Sequence, residues 1–246
     1  MNKGCSGARP HAQTDVALRL RQPPLHLREL ERPQLSDDCL AVSPASDFDR
    51  IAPYLALWHG YDPAVKADLY STCVLSPGGA YLIDPIPLQS EALDELVGSG
   101  RVSGIIVTNS NHRRASAQFA EEFSIPVFAR CETFSDNMPR QFRKVADGDE
   151  ICDGLFLSRI EGAVAGEIVL HYTPSGGTLI VGDALINFEP YGFTFLPAKY
   201  CSNGKEMRRS LRKLLGYKAD RMLFAHGPPI LSGASERLRA LLDSDA

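Results

Sequence analysis

The sequence predicts an α+β fold in which two mixed β-sheets pack face to face and helices cover their outer sides. Three observations lead to this prediction. Short apolar runs bounded by turn residues recur between residues 71 and 227. Glycine-containing turns join some of these runs into hairpins, and amphipathic segments separate others. Strands followed by strand–helix alternation, repeated once along the chain, are typical of two sheet-plus-helix halves packed sheet on sheet.

The elements of the first half follow from apolar spacing and turn chemistry. Residues 71–85 predict a hairpin around Pro-Gly-Gly, and residues 89–100 predict an amphipathic helix that ends at glycines. The stretch 54–61 is apolar and is expected near a loop. The remaining predictions are short elements: a strand at 39–45, a buried strand at 104–110, a helix at 113–124 and a strand at 125–129.

The second half repeats this pattern. Residues 155–162 and 222–227 predict strands, and residues 167–185 predict a hairpin around Pro-Ser-Gly-Gly. Asn203 with Glu206 three residues later forms a capping box at the start of a helix that closes at Gly216. A terminal helix is expected over 235–244.

Composition and charge exclude several classes of protein. The 246 residues suffice for one large domain, and the hydrophobic share of 44% and charged share of 23% are those of a globular protein. No apolar run approaches the roughly 20 residues of a transmembrane helix, so no membrane association is expected. A net charge of −4 without interleaved aromatic and basic residues argues against nucleic acid as a partner. The partner and the oligomeric state stay open.

Cysteine usage and the N-terminus predict a cytoplasmic protein. The six cysteines form no C-x-x-C pair, which argues against a zinc ribbon, and they are too few for a disulfide scaffold in a chain of this length. The first residues are charged but lack the apolar stretch of a secretory signal. Residues 1–38 contain four prolines and no aromatic residue, so we expect a flexible extension there and the folded domain over 39–246.

Three blocks in this order resemble the metallo-β-lactamase superfamily. They are SPGGAYLIDP, the block EGAVAGEIVLHY with GGTLIVGDAL, and the closing HGPP, spread over about residues 70–232. The resemblance implies an αββα sandwich. It also implies a hydrolase site, in which the motif T-H-x-H-x-D-H and three later residues hold one or two metal ions.

Most metal-ligand positions of the family motif carry other residues in this chain. The motif loop is Thr108-Asn109-Ser110-Asn111-His112-Arg113-Arg114, so the aligned ligand positions are Asn109, Asn111, Arg113 and Arg114. The next ligand histidine aligns with Ala163, whereas the bridging aspartate and the last histidine are retained as Asp183 and His226. His112 falls on an intervening position and is expected to point away from the centre. Asp84 is expected to be a structural turn residue, as in the family.

The chemistry of these replacements favours a protein without the family's metals. Amide side chains are weak zinc ligands, and two arginines would place fixed positive charges where dications bind. The sequence therefore predicts a catalytically inactive member, a pseudoenzyme with a degenerate metal site and a binding or scaffolding role. No cofactor is expected. The alternative is a hydrolase of thioester, phosphoester or lactam type with a rebuilt zinc, iron or manganese site, and a nucleic-acid role is a weaker third option.

Loss of the metal would leave Asp183 as a buried negative charge, which needs compensation. Arg113 and Arg114 lie in the loop that carries the metal ligands in the family. We therefore expect one of them, Arg114 in particular, to form a salt bridge with Asp183.

Overall fold

The structure is a computed structural model that describes residues 42–244. Fourteen strands and four α-helices make up this part of the chain. The strands are β1 (Asp49–Ala52), β2 (Leu55–Asp62), β3 (Ala67–Ser76), β4 (Gly79–Ile83), β5 (Val102–Ile106), β6 (Val127–Ala129), β7 (Phe142–Lys144), β8 (Glu150–Cys152), β9 (Leu155–Arg159), β10 (Ile168–Tyr172), β11 (Thr178–Val181), β12 (Leu185–Phe188), β13 (Gly192–Phe195) and β14 (Arg221–Phe224). The helices are α1 (Ser90–Val97), α2 (Ser116–Glu122), α3 (Gly204–Leu211) and α4 (Ala234–Ser244).

Two mixed sheets form the centre of the fold. The larger sheet has seven strands in the order β1-β2-β3-β4-β5-β6-β7, antiparallel up to β4 and parallel from there on. The second sheet has five strands in the order β14-β11-β10-β9-β8, with the β11–β14 pair parallel and the other pairs antiparallel. β12 and β13 form a separate hairpin.

Alternation of side chains along the strands separates three apolar layers. In β5, Ile106 faces a cluster shared by both sheets, whereas Ile105 faces the cluster that contains residues of α1 and α2. In β11, Ile180 belongs to the layer between the sheets, and Leu179 packs with residues of α3 and α4. Neighbouring residues of a strand point to opposite faces, so every such strand is buried on both sides. The layer order is helix, sheet, sheet, helix, which confirms the predicted sandwich.

Most predicted elements are present in the described residues. Half of the predicted capping box is present, because the Asn203 side chain accepts a hydrogen bond from the Glu206 backbone N–H at 3.2 Å. The Asn203 backbone N–H donates instead to the Gly162 carbonyl oxygen at 2.8 Å. The stretch 54–61, expected near a loop, is largely the strand β2, which pairs with β3 over its whole length and ends at the turn 63–66. Its apolar residues are buried in both neighbouring layers, so packing in the sheet determines its conformation.

The predicted extension 1–38 and the start of the predicted strand 39–45 lie outside the described residues. Within residues 42–45, the structure has only an isolated bridge between Ala45 and Leu88. None of the helices in residues 42–244 has the length and hydropathy that a membrane crossing requires. The described cysteines, Cys73, Cys131, Cys152 and Cys201, are free thiols.

Strand direction brings four loops together at one edge of the sandwich. β4 and β5 are parallel, so the segments that follow Ile83 and Ile106 leave the first sheet side by side. β11 and β14 are also parallel, with Val181 opposite Phe224, and their following segments leave the second sheet side by side. Loops at the carboxyl ends of parallel strands are a common location of functional residues. In this protein, the segments after β4, β11 and β14 contain Asp84, Asp183 and His226, and the segment after β5 is the 108–114 loop.

Gly227 holds the last of these loops against the β12 strand. Its φ is 101°, and a Cβ built there would lie 1.7 Å from the Asn187 carbonyl oxygen. We expect Gly227→Ala to destabilise the protein by about 2 kcal/mol or more, because both the conformation and the space exclude a side chain. Gly216→Ala is the matched control, since a Cβ there meets nothing within 4 Å. Urea unfolding of both variants measures the difference, and equal stabilities would contradict the prediction.

Candidate functional site

Asp84 organises the floor of the site. It follows β4 directly, and its carboxylate accepts hydrogen bonds from the Thr108 backbone N–H at 2.8 Å and from the Thr108 hydroxyl at 2.5 Å. The same carboxylate lies 2.9 Å from Nδ1 of His112. Asp84 and Thr108 are both buried. Asp84 therefore joins the ends of β4 and β5 and also orients the imidazole ring above them.

His112 points into the centre of the site, so the prediction that it points away is wrong. Residues Ser110–His112 form a 3₁₀ turn, and the Asn109 side chain caps it by accepting a hydrogen bond from the Asn111 backbone N–H at 2.8 Å. In a 3₁₀ turn, side chains three residues apart lie on the same side. Asn109 and His112 accordingly point the same way, and the Asn109 amide nitrogen lies 3.4 Å from His112 Nδ1.

Three side chains from three different loops converge on one point. His112 Nε2 lies 3.1 Å from Asp183 Oδ1, and His226 Nε2 lies 3.2 Å from the same oxygen. The two Nε2 atoms are 3.3 Å apart. All three residues are buried. Asp183 and His226 therefore meet the 108–114 loop, as the family layout implies, although they are far apart in the sequence.

The charges of His112, Asp183 and His226, which form a triangle of side chains, depend on one another. Burial disfavours a protonated His112, but the carboxylates of Asp183 and Asp84 outweigh it and raise the pKa of His112 to about 9. Burial alone would raise the pKa of Asp183, yet His112 and the hydrogen bond from His226 hold it well below its usual range. Burial lowers the pKa of His226 against the opposing effect of Asp183. Near neutral pH, His112 is thus the cation that faces the Asp183 carboxylate.

Glu167 fills the space beside Asn109. Its carboxyl group accepts hydrogen bonds from the Asn109 side-chain amide at 2.7 Å and from the Ala184 backbone N–H at 2.9 Å. Glu167 is fully buried, and burial together with the charge of Asp183 raises its pKa to about 8. Gly182 permits this arrangement, because a Cβ there would lie 2.8 Å from a Glu167 carboxyl oxygen. Asn109, at a ligand position of the family, is therefore hydrogen-bonded to a carboxyl group.

Asn111, at another ligand position, donates a hydrogen bond to Asp183 Oδ2 at 3.0 Å. Asn111 and Asp183 also line a cavity of about 350 Å³. Ala163, aligned with a ligand histidine, lies on its wall and supplies only a methyl group and backbone. The other lining residues are Val164, Ala165, Leu196, Lys199, Tyr200, Cys201 and Ser202.

The two arginines of the loop do not neutralise Asp183. Arg114 donates from Nη1 to the carbonyl oxygens of Tyr70 at 2.6 Å and Asp84 at 3.0 Å, and from Nη2 to that of Ala225 at 3.3 Å. It thereby links the segments beside the site. Arg113 points elsewhere, to the Thr133 carbonyl oxygen and the Asp136 carboxylate.

The predicted Arg114–Asp183 salt bridge is therefore wrong. The residue that faces Asp183 as a cation is His112, with Asp84 on the other side of its ring. The structure thus places a different residue against the Asp183 carboxylate from the one predicted. A planar imidazole between two carboxylates can donate one N–H to each, which satisfies both of its nitrogens when it is protonated.

Within residues 42–244, one group of side chains has the donors and spacing to hold a metal ion. His112, Asp183 and His226 offer three ligand atoms within 4.8 Å of one another. Tetrahedral zinc ligands at about 2.0–2.1 Å from the ion lie about 3.3 Å apart, close to the spacings in this triangle. The Asp84 carboxylate on Nδ1 of His112 also resembles the carboxylate that commonly orients a ligating histidine. At the aligned position of a second ion, the Asn109 amide is hydrogen-bonded to Glu167 and Ala163 offers no donor.

Comparison with known protein families identifies the family to which the chain belongs. The family model of the metallo-β-lactamase superfamily matches residues 49–244, which is most of the sequence. The chain belongs to the metallo-β-lactamase superfamily. The comparison with curated proteins returns no match.

Solved structures from this superfamily share the fold at low sequence identity. A metallo-β-lactamase family protein from Thermus thermophilus is 19% identical with a TM-score of 0.60, and the match covers 80% of each chain. A metallo-β-lactamase from Pontibacter korlensis is 14% identical with a TM-score of 0.62, covering 80% of this chain and 98% of that one. The metallo-β-lactamase FIM-1 from Pseudomonas aeruginosa, in its mono-zinc form, is 12% identical with a TM-score of 0.63. That match covers 83% of this chain and 97% of the FIM-1 chain.

Sequence reasoning missed His112 and Glu167 as members of the site. The signal for His112 was its position three residues after an asparagine that can cap a turn. Glu167 stands immediately before the apolar run of β10, where an acidic residue is unusual unless it is paired. Of the residues predicted at the pocket, Asn111, Ala163 and Asp183 line the cavity. Asn109 contacts Glu167, and His226 contacts Asp183. Arg114 donates to backbone carbonyl groups beside the site, and Arg113 is directed away from it.

His112 makes the stability of the metal-free protein depend on pH. Its folded-state pKa of about 9 exceeds the ordinary value of 6.5, so the stabilisation is complete below pH 6.5 and is lost as the pH rises through 9. After chelator treatment, we expect His112→Gln to be less stable than wild type by roughly 2–3 kcal/mol near pH 6, and by less above pH 9. His59→Gln, on an exposed histidine, is the control. A pH-independent difference measured by urea unfolding would contradict this prediction.

Glu167→Gln tests the protonation of the buried carboxyl group. Since the pKa of Glu167 is raised from 4.5 to about 8, keeping the wild-type side chain protonated costs increasing free energy as the pH rises between these values. Glutamine keeps the same shape and has no such cost. Relative to wild type, the variant should gain stability from pH 4.5 to 8 and then level off. Thermal unfolding at several pH values measures this, and a variant that loses stability over that range would refute it.

Proposed function

We propose that this protein is a non-hydrolytic member of its superfamily, with a binding or scaffolding role, in which hydrogen bonds and a buried histidine replace the metal ions. The observation that carries the proposal is the environment of Asp183. One carboxylate oxygen faces His112 and His226, and the other accepts a hydrogen bond from Asn111. The charge that bridges metal ions in the family is compensated by the protein itself.

Two of the replaced ligand positions support this proposal, because their side chains make other contacts. Asn109 is bound to Glu167, and Arg114 is bound to backbone carbonyl groups. A buried polar network in which every member has partners fixes a unique arrangement of the loops around it. The side chains at these positions thus stabilise the loops instead of holding a pair of ions.

A binding role is supported by the cavity beside Asp183. Its volume of about 350 Å³ falls at the lower end of the range of small-molecule sites. Its wall combines apolar groups, such as Val164 and Leu196, with polar groups, such as Asn111 and Ser202. Such a mixture suits a small, partly apolar ligand whose orientation is fixed by a few hydrogen bonds.

The second candidate function is a hydrolase of thioester, phosphoester or lactam type with a single zinc, iron or manganese ion. It is favoured by the triangle of His112, Asp183 and His226 and by the Asp84 carboxylate that orients His112. A bound ion would supply an activated water for hydrolysis. In this case His112 would serve as a neutral ligand, and Asn111 would orient Asp183 through its second oxygen.

Metal binding distinguishes the two functions. If the proposal holds, chelator treatment leaves the melting temperature of the full-length protein unchanged, and added zinc shifts wild type no more than His226→Gln. Retention of about one equivalent of zinc, iron or manganese, lost in His226→Gln but kept in the control His59→Gln, would contradict the proposal and support the hydrolase. Elemental analysis of the purified proteins and thermal unfolding give both answers.

A further inference from the structure

A second cavity, away from the central site, is lined almost entirely by cations. It has a volume of about 420 Å³ and lies between α3 with its continuation and the C-terminal part of α4. Its lining residues are Lys205, Arg208, Arg209, Arg212 and Leu242. We call it the basic cavity. We propose that the basic cavity binds a small ligand carrying several phosphate charges.

The arrangement of these cations costs the helix stability. Residues 205, 208, 209 and 212 follow the spacing i, i+3, i+4 and i+7, so they share one face. Lys205 and Arg209 are four residues apart, as are Arg208 and Arg212, and like charges at this spacing repel each other. A bound polyanion would convert this repulsion into attraction.

The helix dipole does not explain the positions of all the cations that line the basic cavity. Arg208 and Arg209 lie in the last turn of α3, where cations interact favourably with the dipole. Lys205 lies in the first turn, where a cation is unfavourable. Within residues 42–244, neither Lys205 nor Arg209 has an ion-pair partner, although Arg212 lies 3.4 Å from Asp243. The positive charge of this face therefore exceeds what the described acidic residues neutralise.

Two of the arginines are held in place before any ligand arrives. The Arg208 guanidinium lies over the Phe195 ring, 5.3 Å from its centroid. Arg212 donates to the Leu242 carbonyl oxygen at 2.7 Å. Fixed guanidinium groups lose less side-chain entropy on binding, and their planar geometry suits bidentate contacts with phosphate oxygens.

The lining also restricts what the ligand can be. Among residues 42–244, the lining includes no aromatic ring on which a nucleobase could stack, and no carboxylate or amide that could recognise a base edge. Leu242 is the apolar residue of this described lining. Recognition therefore relies on phosphate charge, and we assign the site to a compact phosphorylated molecule and not to a nucleic acid strand.

Inorganic pyrophosphate is the probe that tests this proposal. Calorimetric titration of the full-length protein at low ionic strength should show saturable binding. The double variant Lys205→Gln/Arg209→Gln should weaken it about a hundredfold, since each of the two lost charge-assisted hydrogen bonds costs roughly a factor of ten. The matched control is Arg237→Gln/Arg239→Gln, which removes two exposed cations of α4 outside the cavity lining. The control should retain wild-type affinity.

Three outcomes would overturn the proposal. They are no saturable binding of pyrophosphate, equal weakening in both double variants, and tighter binding of a single-stranded oligonucleotide that the Lys205→Gln/Arg209→Gln variant abolishes. Melting temperatures equal to wild type show that the exposed substitutions leave the fold intact. Asp183→Asn should leave pyrophosphate binding unchanged, so this test is independent of the function proposed for the central site.

Discussion

The buried contact between His112 and Asp183 is the interaction on which the site depends. An aspartate at the end of β11 is buried where the two sheets meet, and a buried carboxylate requires a partner of opposite charge or several hydrogen bonds. His112 supplies the charge, while His226 and Asn111 supply further contacts. Asp84 then holds the other nitrogen of the His112 ring and connects it to the first sheet. One imidazole ring thus joins loops of both sheets.

Under the proposed function, this arrangement lets a metal-binding fold keep its shape without the family's ions. In the family layout, ions hold the motif loop against the loops that contain Asp183 and His226. In this chain, the same loops are joined by Asn109–Glu167, Asn111–Asp183 and the donors of Arg114. Each replacement is a short polar side chain or a guanidinium group whose hydrogen bonds cross between loops. The sandwich itself depends on apolar layers that do not involve these residues.

The fold was predictable because its signals are local and redundant. Apolar runs such as that of β10, the Pro-Ser-Gly-Gly turn and the Asn203 cap each determine their own element. The site was predictable only in its location. Which side His112 faces depends on the 3₁₀ turn capped by Asn109, and motif alignment assumes the loop conformation of the metal-bound family. Glu167 was missed because its role depends on space that Gly182 leaves open, which appears only in three dimensions.

The protonation state of His112 tests the central claim most directly. Nitrogen-15 NMR of histidine-labelled, chelator-treated protein at neutral pH reports both ring nitrogens, and His112→Gln assigns the signal. If His112 replaces the metal ion as a cation, both of its nitrogens are protonated, and added zinc leaves their signals unchanged. A neutral ring whose Nε2 signal moves on adding zinc would show that His112 is a metal ligand, and it would contradict this account.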